Sequence, residues 1–442
     1  MTESRSKPNS YTEKWSGHFS AFDTANLTYP DSQFFRPTFD SAKYNEAVNR
    51  SNETLIPKGL SLHVTFPHIH LAARNTPRQS PISGRSGTLS GYVQALQKEI
   101  ILQSGCFDKD RRIQHLSFTD VDSYLLQDGS IEELVHLIES SFDLRRSSLC
   151  DLLVSLDASS TSLNDLDYFR EMNFNQVVFN VNLPALTSGD KIQSLMRHSR
   201  SIGFQNLQVI LISDPAYCPP ERLDEQVHAL LKLLPDCVAI SFRPSLPNTT
   251  GALASEIDVF FGAWVHWLVA TGYHYIGLGH FVRPDNPLTH AQKDGLLCLQ
   301  PQGFGIQPSN DYIGIGVGAI SQFQQCYSQN YHRLGDYCHS LAQMRFAVAR
   351  GFELSIDDFL RRAVIERLLC FEFADLQEIL EGANISNDDY FETECGVLAK
   401  AAKRGLVRLR GDQRVEITPE GRPLATQICQ VFDRYRPVKV TF

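Results

Sequence analysis

The sequence has no paired cysteines, no apolar run of membrane length and no excess of positive charge, and each of these absences excludes a class of protein. Its ten cysteines are spread from Cys106 to Cys429 without a CxxC pair, which argues against a zinc ribbon, a thioredoxin-like site or a disulfide scaffold. The nearest candidate for a membrane span, Phe260–Ala270, is short and interrupted by His266, so no span is expected. The net charge of -9 argues against a nucleic acid as the partner of the surface as a whole.

The composition is that of a soluble globular protein. Hydrophobic residues make up 42% and charged residues 21% of the 442 residues, and this length allows two or three domains. The first residues, MTESRSKPNSYTEKWSG, are polar and contain no apolar stretch that could act as a secretory signal. We therefore expect a cytoplasmic protein, with most cysteines serving as small buried core residues in a reducing compartment.

Short apolar runs alternate with amphipathic stretches in the first half of the chain. The runs with strand character are Leu60–Phe66, Ile113–Phe118, Leu152–Leu156, Val177–Val181, Leu207–Ile212 and Cys237–Phe242, and helical stretches such as Tyr92–Ile101, Ile131–Ser140, Lys191–Ile202 and Leu223–Leu234 lie between them. Strands separated by helices indicate βα units and a parallel sheet. Right-handed crossovers would either curl these units into an open barrel or wind them as a sheet, and the pattern alone is compatible with both.

The pattern changes after about residue 245. A helix near Ala254–Thr271 precedes a glycine-rich, loop-rich stretch to Ser321, and helices dominate from His332 to Leu380. The tail has the order helix, strand, turn, strand, helix over Cys395–Tyr435, which is typical of a winged helix. The tail is basic, but the acidic chain as a whole argues against DNA binding.

Several long motifs resemble those of one enzyme family. They are HFVRPDNPLTHAQ (His280–Gln292), QGFGIQ (Gln302–Gln307), DYIGIGVGAIS (Asp311–Ser321), RGFELSIDDFLRRAVIERLLC (Arg350–Cys370) and, near the N-terminus, LTYPDSQFF (Leu27–Phe35). On these motifs the chain is identified as a member of the oxygen-independent coproporphyrinogen III oxidase family of radical SAM enzymes. The resemblance implies an α/β fold, a partial (β/α)6 TIM-like barrel at residues 56–325, with an N-terminal arm at 1–55 and a C-terminal helical and winged-helix-like domain at 326–442.

The cysteine motif that holds the family's iron–sulfur cluster is missing from this sequence. In the family, a CxxxCxxC motif follows the first barrel strand, and its three thiolates bind a four-iron, four-sulfur cluster that also holds SAM. The matching positions here are Ile69, Ala73 and Thr76, and the first cysteine of the chain is Cys106. Because such clusters need soft, anionic thiolate ligands, we expect neither the cluster nor SAM as a cofactor.

Other positions that the resemblance places around SAM have changed as well. The family's GGGTP turn corresponds to Phe118–Asp122, a barrel-strand glutamate to Ser155, and the first residue of a GVQ motif to Asn180. The tyrosine and histidine of its YVH motif become His63 and Thr65. Glycine is needed where a backbone closely approaches a ligand. These changes therefore predict the loss of both SAM molecules that the family binds.

Two sets of residues are candidates for binding a tetrapyrrole or a metal. His63, His68 and His70 are expected at the carboxyl end of the first strand, where barrels of this type bind ligands, and imidazole is a good ligand for haem iron, zinc or copper. Arg283, in the HFVRP motif, suits a carboxylate, and Gln307 matches a family glutamine near the second SAM. The competing interpretations are that the histidines are ordinary polar loop residues and that HFVRP holds the barrel against the C-terminal domain.

Four functions are compatible with these observations. The favoured one is a pseudoenzyme that binds haem, a porphyrin or a related tetrapyrrole in the family's cavity. The second is an enzyme with new, non-radical chemistry, with acid–base candidates His63, His68, Asp120, Asp122 and Asp157. The third is a regulatory partner of an active radical SAM homologue. Oxidation of coproporphyrinogen by another route is the weakest, because abstracting hydrogen from an unactivated propionate needs a radical initiator.

Overall fold

The protein is described by a computed structural model at residues 28–66, 85–121, 123–126, 129–142, 144, 150–187, 190–213, 223–242, 251–307, 310–323, 325–387, 389–411 and 413–436. Its strands are β1 (Leu60–Thr65), β2 (Ile113–Val121), β3 (Asp151–Asp157), β4 (Gln176–Asn182), β5 (Asn206–Ser213), β6 (Cys237–Phe242), β7 (His274–Gly277), β8 (His280–Val282), β9 (Cys298–Gln300), β10 (Gly303–Gly305), β11 (Asp311–Ile315), β12 (Ile320–Phe323), β13 (Cys326–Asn330), β14 (Val348–Glu353), β15 (Phe373–Asp375), β16 (Val407–Arg410) and β17 (Arg414–Ile417).

Within these described residues, twelve strands form one sheet in the order β14-β13-β12-β11-β1-β2-β3-β4-β5-β6-β8-β7. Strands β11 and β1 to β6 are parallel, whereas β8 and β7 on one side and β12, β13 and β14 on the other run antiparallel to their neighbours. The last strands of this order, β14 and β7, do not pair with each other, so the described sheet is curled but open. A mixed α/β fold built as a partial TIM-like barrel is thus confirmed.

The helices connect and cover these strands. They are α1 (Ser41–Asn52), α2 (Arg85–Ser104), α3 (Ser130–Ser141), α4 (Leu163–Glu171), α5 (Leu183–Leu186), α6 (Asp190–Ser201), α7 (Leu223–Leu233), α8 (Gly251–Ala270), α9 (Pro287–Lys293), α10 (Leu334–Ala342), α11 (Ile356–Phe371), α12 (Leu376–Gly382), α13 (Glu392–Lys403) and α14 (Ala425–Gln430). Local capping fixes several starts; Ser162 and Ser355, for example, each form a capping box at the first turn of α4 and α11.

The strands of the barrel are apolar on the outer face and carry most of their polar residues, together with a few apolar ones, on the inner face. In β4, Val177, Phe179 and Val181 are buried in the hydrophobic core, whereas Gln176 and Val178 face the inside of the barrel and line a cavity. Side chains alternate between the two faces of a strand, so an apolar outer face can pack on helices while the inner face carries polar groups. This arrangement makes the inside of the barrel a candidate ligand-binding site.

The last eighty or so residues form a second core. Strands β15, β17 and β16 make a small antiparallel sheet, and buried side chains from α11 to α14 pack on it in a cluster that includes Leu360, Leu398, Val415 and Phe432. The predicted winged-helix order is present, with α13, β16, β17 and α14 in succession. The main sheet itself continues to Glu353 at the end of β14. The division of the chain at residues 55 and 325 stays a prediction.

The expected loop-rich stretch from Thr271 to Ser321 also contains short regular elements. It includes β7 to β11, α9 and the first residues of β12. These strands are three to five residues long, too short to show a period-2 pattern. Several glycines among them adopt a positive φ, including Gly277 and Gly303, and these glycines form the tight connections that sequence reasoning interpreted as loops.

A buried ion pair ties α1 and the segment before β2 to β11. Arg111 Nη2 lies 2.6 Å from Asp311 Oδ2, and both side chains are almost fully buried. The guanidinium also donates to the hydroxyl of Ser51, to Asn52 Oδ1 and to the carbonyl of Lys58. Every polar contact of this arginine therefore joins segments that are distant in sequence.

A second buried polar group, the carboxylate of Glu99 on α2, holds the loop after β11. Glu99 accepts hydrogen bonds from the main-chain N–H of Gly316 at 2.8 Å, from Asn330 Nδ2 at 2.7 Å and from the hydroxyl of Tyr337. Its side chain is fully buried, and burial raises its pKa from 4.5 to about 7. These contacts fasten α2 to β13, α10 and the end of β11.

Among the described residues, no helix is both long enough and apolar enough to cross a membrane.

Candidate functional site

The inner face of the barrel surrounds a cavity of about 420 Å³. Its wall is formed by inward-facing residues of six parallel strands: His63, His115, Ser117, Thr119, Asp151, Leu153, Ser155, Gln176, Val178, Asn206, Gln208, Ile210 and Cys237. The segments 283–288 and 300–307 contribute to the rest of the lining. This volume is typical of small-molecule sites, but the lining is unusually rich in polar groups.

The cavity reaches the amino ends of the strands. Asp151, Gln176 and Asn206 are the first residues of β3, β4 and β5, and Asp236 directly precedes β6. The buried Asn206 Oδ1 has no hydrogen-bond partner. A buried acceptor without a partner costs free energy. The amino end of the cavity therefore contains a polar group that the hydrogen bonds of the described residues leave unsatisfied.

His63 lies in the middle of β1 rather than at its carboxyl end. Its Nδ1 is 2.6 Å from the hydroxyl of Ser117 and its Nε2 is 3.1 Å from that of Thr119. Burial lowers the pKa of His63 to about 3, so the ring is neutral at physiological pH. Because both ring nitrogens already have hydroxyl partners, His63 is poorly placed to bind a metal ion.

The other predicted histidines and the positions of the missing cysteines fall on one segment. His68, Ile69, His70, Ala73 and Thr76 all lie outside the described residues. The distances of His68 and His70 from His63 therefore also lie outside what the structure describes. Elsewhere in the chain, the described residues contain no group of three or more His, Cys, Asp or Glu side chains arranged to hold a metal ion.

Arg283 and Gln307 line the same cavity as His63. Arg283 follows β8 and its Nε lies 3.3 Å from Asp285 Oδ1, with 43% of its side chain exposed. Gln307 accepts a hydrogen bond from Asn310 Nδ2 at 2.9 Å. The structure thus brings three of the predicted residues, His63, Arg283 and Gln307, to one cavity. In the sequence, His63 is more than two hundred residues away from the other two.

The acidic residues that line the cavity differ from those expected. Asp157 is exposed and accepts a hydrogen bond from the N–H of Ser159, and Asp120 is not among the lining residues. Asp122 lies outside the described residues. The carboxylates at the cavity are instead Asp151, Asp236 and Asp285. The alternation of inward and outward side chains becomes irregular at the ends of strands. The sequence pattern therefore did not show which carboxylates face the cavity.

A second cavity, of about 360 Å³, adjoins the first between the barrel and α11. Both cavities are lined by Gln300, Gln307 and Tyr312, so these side chains form a shared wall. The hydroxyl of the buried Tyr312 has no hydrogen-bond partner, and its ring stacks on His63 with the centroids 5.8 Å apart. The second cavity is also lined by the cations Lys58 and Arg362.

Sequence reasoning missed His280, the first residue of β8. It is 8% exposed and lines the barrel cavity. Its Nδ1 lies 3.0 Å from the carbonyl oxygen of Leu278, and burial lowers its pKa. The residue stands at the head of the HFVRP motif, so the signal was present, but nothing in the motif indicates which way the ring points.

Comparison with known proteins identifies the family. The chain is 30% identical, over 309 residues, to the oxygen-independent coproporphyrinogen III oxidase of Thermostichus vulcanus, and the match covers 94% of that protein and 64% of this chain. The chain belongs to the oxygen-independent coproporphyrinogen III oxidase family. The enzyme of the same name from Escherichia coli is 28% identical over 428 residues, 92% of both chains.

A solved structure supports this membership in the oxidase family. The crystal structure of the Escherichia coli coproporphyrinogen III oxidase, described as a radical SAM enzyme, superposes with a TM-score of 0.80 at 27% identity. The match covers 92% of this chain and 96% of that chain. No family model matches the chain.

Residues that the sequence resemblance predicts at altered motif positions contact one another. Thr119, expected in the turn that is GGGTP in the family, lies against His63, expected at the tyrosine of YVH. Ser155, expected at a glutamate, accepts a hydrogen bond at 3.0 Å from Asn180, expected at the glycine of GVQ. These four side chains therefore form two paired contacts.

Proposed function

We propose that this member of the coproporphyrinogen III oxidase family is a non-radical protein that binds a tetrapyrrole in its barrel cavity. The observation that carries the first half of the proposal is the donor set: Ile69, Ala73 and Thr76 offer no thiolate where the family has three cysteines. Iron–sulfur clusters are held by thiolates, and the side chains of isoleucine and alanine have no lone pair. The residues present do not fit the cluster.

The cavity wall supports the loss of SAM binding as well. Thr119 projects a hydroxyl into the cavity where the family has a glycine-rich turn. Asp120 keeps a φ of 59°, a conformation that favours glycine. The backbone of a glycine turn thus persists, while side chains now occupy the space beside it. Paired contacts between replaced residues support a remodelled site rather than a decayed one.

Anaerobic reconstitution with iron and sulfide is expected to give no stoichiometric cluster and no cleavage of SAM. The reason is the absence of thiolate ligands at Ile69, Ala73 and Thr76. Iron and sulfide content, EPR spectra of the reduced protein and 5′-deoxyadenosine formation are the measurements. The Escherichia coli relative, treated in parallel, is the positive control. A stoichiometric cluster that cleaves SAM would overturn the non-radical half of the proposal.

Family membership and the polar cavity support the tetrapyrrole half. Curated relatives are oxidases of coproporphyrinogen III, and the cavity has an arginine for a carboxylate. The adjoining cavity is lined by the cations Lys58 and Arg362 and by the carboxylates Asp311 and Glu366. Together the two chambers, of about 420 and about 360 Å³, come within the range of ligand sites for larger molecules.

The charge of the lining favours a tetrapyrrole with few carboxylates. Asp151, Asp236 and Asp285 line the barrel cavity, against the single cation Arg283 among the described lining residues. At effective dielectric constants near 20, like charges about 10 Å apart repel by about 1.7 kcal/mol before screening by salt. A tetracarboxylate such as coproporphyrin therefore meets more repulsion than a dicarboxylate such as protoporphyrin.

Protoporphyrin is accordingly expected to bind about tenfold more tightly than coproporphyrin, and the difference should shrink as salt is raised. Titrations followed by the Soret band and by quenching of protein fluorescence give both dissociation constants. Both porphyrins are free of metal, so the comparison isolates the carboxylates. Flat titrations with both would refute tetrapyrrole binding, whereas tighter binding of coproporphyrin would refute only the charge argument.

Other roles stay predictions. An enzyme with new non-radical chemistry and a regulatory partner of an active radical SAM homologue are both compatible with the family. We place the protein in the cytoplasm as part of the same proposal.

A further inference from the structure

The two ring nitrogens of His280 lie in different surroundings. Nδ1 is 3.0 Å from the main-chain oxygen of Leu278, and the ring also forms a hydrogen bond with the main chain of Gly277. A carbonyl oxygen can only accept a hydrogen bond, so the proton is on Nδ1 and the lone pair is on Nε2. The burial that lowers the pKa of His280 keeps the ring neutral. A neutral imidazole with Nδ1–H held by a carbonyl is the arrangement that metal-binding histidines use.

The space beside Nε2 of His280 belongs to the barrel cavity. His280 is a lining residue of that cavity, and the residue as a whole is 8% exposed. On the facing strand β10, a Cβ at Gly303 would come within 3.8 Å of Nε2. Gly303 has a φ of 131°, where side chains are disfavoured. The main chain therefore keeps this position free of a side chain.

The orientation of the His280 ring is fixed from a second direction. The ring of Phe304 stands perpendicular to it, with the centroids 5.5 Å apart. The carbonyl of Leu278 and this aromatic contact together leave the imidazole little freedom to rotate. A coordinating side chain that already has the required orientation loses less conformational entropy when the metal binds.

His63, which also lines the cavity, differs from His280 in its hydrogen bonds. Both nitrogens of His63 are within hydrogen-bond distance of hydroxyl groups. Coordination by His63 would require breaking one of these buried contacts. His115 lines the same cavity next to Asp151, and no main-chain carbonyl is seen to hold its ring among the described contacts. His280 is thus the histidine best prepared for coordination.

We infer that His280 is the axial ligand of an iron porphyrin held in the barrel cavity. The inference rests on the proposed tetrapyrrole binding and adds that the preferred tetrapyrrole contains iron. Neutral imidazole is a common axial ligand of haem iron. The positive charge of a ferric macrocycle also offsets part of the repulsion from Asp151, Asp236 and Asp285.

The test compares haemin with metal-free protoporphyrin on the full chain and on His280→Ala. The wild type is expected to bind haemin at least tenfold more tightly than protoporphyrin, with the optical and EPR spectra of histidine-ligated iron. His280→Ala should lose that spectrum and the preference for haemin, while its affinity for protoporphyrin changes less than about twofold. Adding free imidazole to the variant should restore the ligated spectrum, because alanine leaves room for it. His280→Gln, which keeps most of the side-chain volume, replaces His280→Ala if that variant does not fold.

Two control variants separate a local effect from a general one. His136→Ala removes an exposed histidine on α3, and His228→Ala removes an exposed histidine on α7. Both should keep the wild-type haemin spectrum. Loss of the spectrum in these two variants but not in His280→Ala would overturn the inference.

The outcomes distinguish this inference from the proposed function. If protoporphyrin binds the wild type and His280→Ala keeps the histidine-ligated haemin spectrum, the inference fails and tetrapyrrole binding stands. If neither porphyrin binds the wild type, both fail. Tight binding of Zn²⁺ without any porphyrin, lost in His280→Ala, would instead assign the residue to a simple metal ion and also overturn the inference.

Discussion

Arg111→Ala and Asp311→Ala are each expected to lower the free energy of unfolding by about 3 to 5 kcal/mol, measured by urea denaturation at neutral pH. Each substitution leaves the other charge buried without its partner, since the Arg111 and Asp311 side chains are only 1% and 3% exposed. Arg111→Ala would also remove the hydrogen bonds that the guanidinium donates to the carbonyl of Lys58 and to Asn52 Oδ1. Burying an unsatisfied charge is among the largest costs that one substitution can cause.

Two comparisons check that the loss comes from the buried charge. Lys43→Ala breaks an exposed ion pair with Glu353, in which both side chains are about 40% exposed, and should cost far less. The double variant Arg111→Met/Asp311→Leu should recover much of the loss, because apolar residues of similar volume often replace a buried pair without penalty. A loss in Arg111→Ala no larger than that in Lys43→Ala would contradict the prediction.

The second large effect is a pH dependence caused by Glu99. Burial raises the pKa of this carboxyl from 4.5 to about 7, so the folded protein holds the proton more tightly than the unfolded chain does. Its contribution to stability is therefore greatest at low pH and falls as the pH rises from 4.5 to 7, by about 3 kcal/mol. Above pH 7 the contribution no longer changes with pH.

Glu99→Gln isolates this effect from the titration of other groups. Glutamine cannot ionise, so the stability of the variant relative to wild type should improve by about 3 kcal/mol between pH 4.5 and pH 7.5. Unfolding curves at matched pH values give the difference, which also cancels contributions common to both proteins. Glu133→Gln, which changes an exposed carboxylate that contacts Gln97, should show no such trend. A pH-independent difference for Glu99→Gln would refute the prediction.

The strands of the barrel could be predicted from the sequence because one face of each strand is apolar. The predicted Val177–Val181 lies within β4 (Gln176–Asn182), and Cys237–Phe242 coincides with β6. The same reasoning could not recognise Gln176 or Asn206 as cavity residues. A polar residue at the start of a strand has the same appearance whether it faces solvent or the inside of a barrel. Only the curvature of the folded sheet shows whether such a residue faces the solvent or the inside of the barrel.

The histidines show the same limit of prediction from the sequence. His63 was a candidate because it was expected at the carboxyl end of the first strand, yet it lies in the middle of β1 and its ring is held by Ser117 and Thr119 from the neighbouring strand. His280 stands in a recognised motif, but its role depends on β8 running antiparallel to β6 and on β10 lying opposite. Contacts between residues this far apart in the chain leave no local signal in the sequence. Motifs identified the family, and only the folded chain distinguished the two imidazoles.

The wall that Tyr312, Gln300 and Gln307 form between the two cavities is made of side chains. Tyr312 is almost fully buried and stacks on His63, so the middle of this partition is packed in place. The boundary between the two chambers is therefore set by three residues and not by an additional strand or helix.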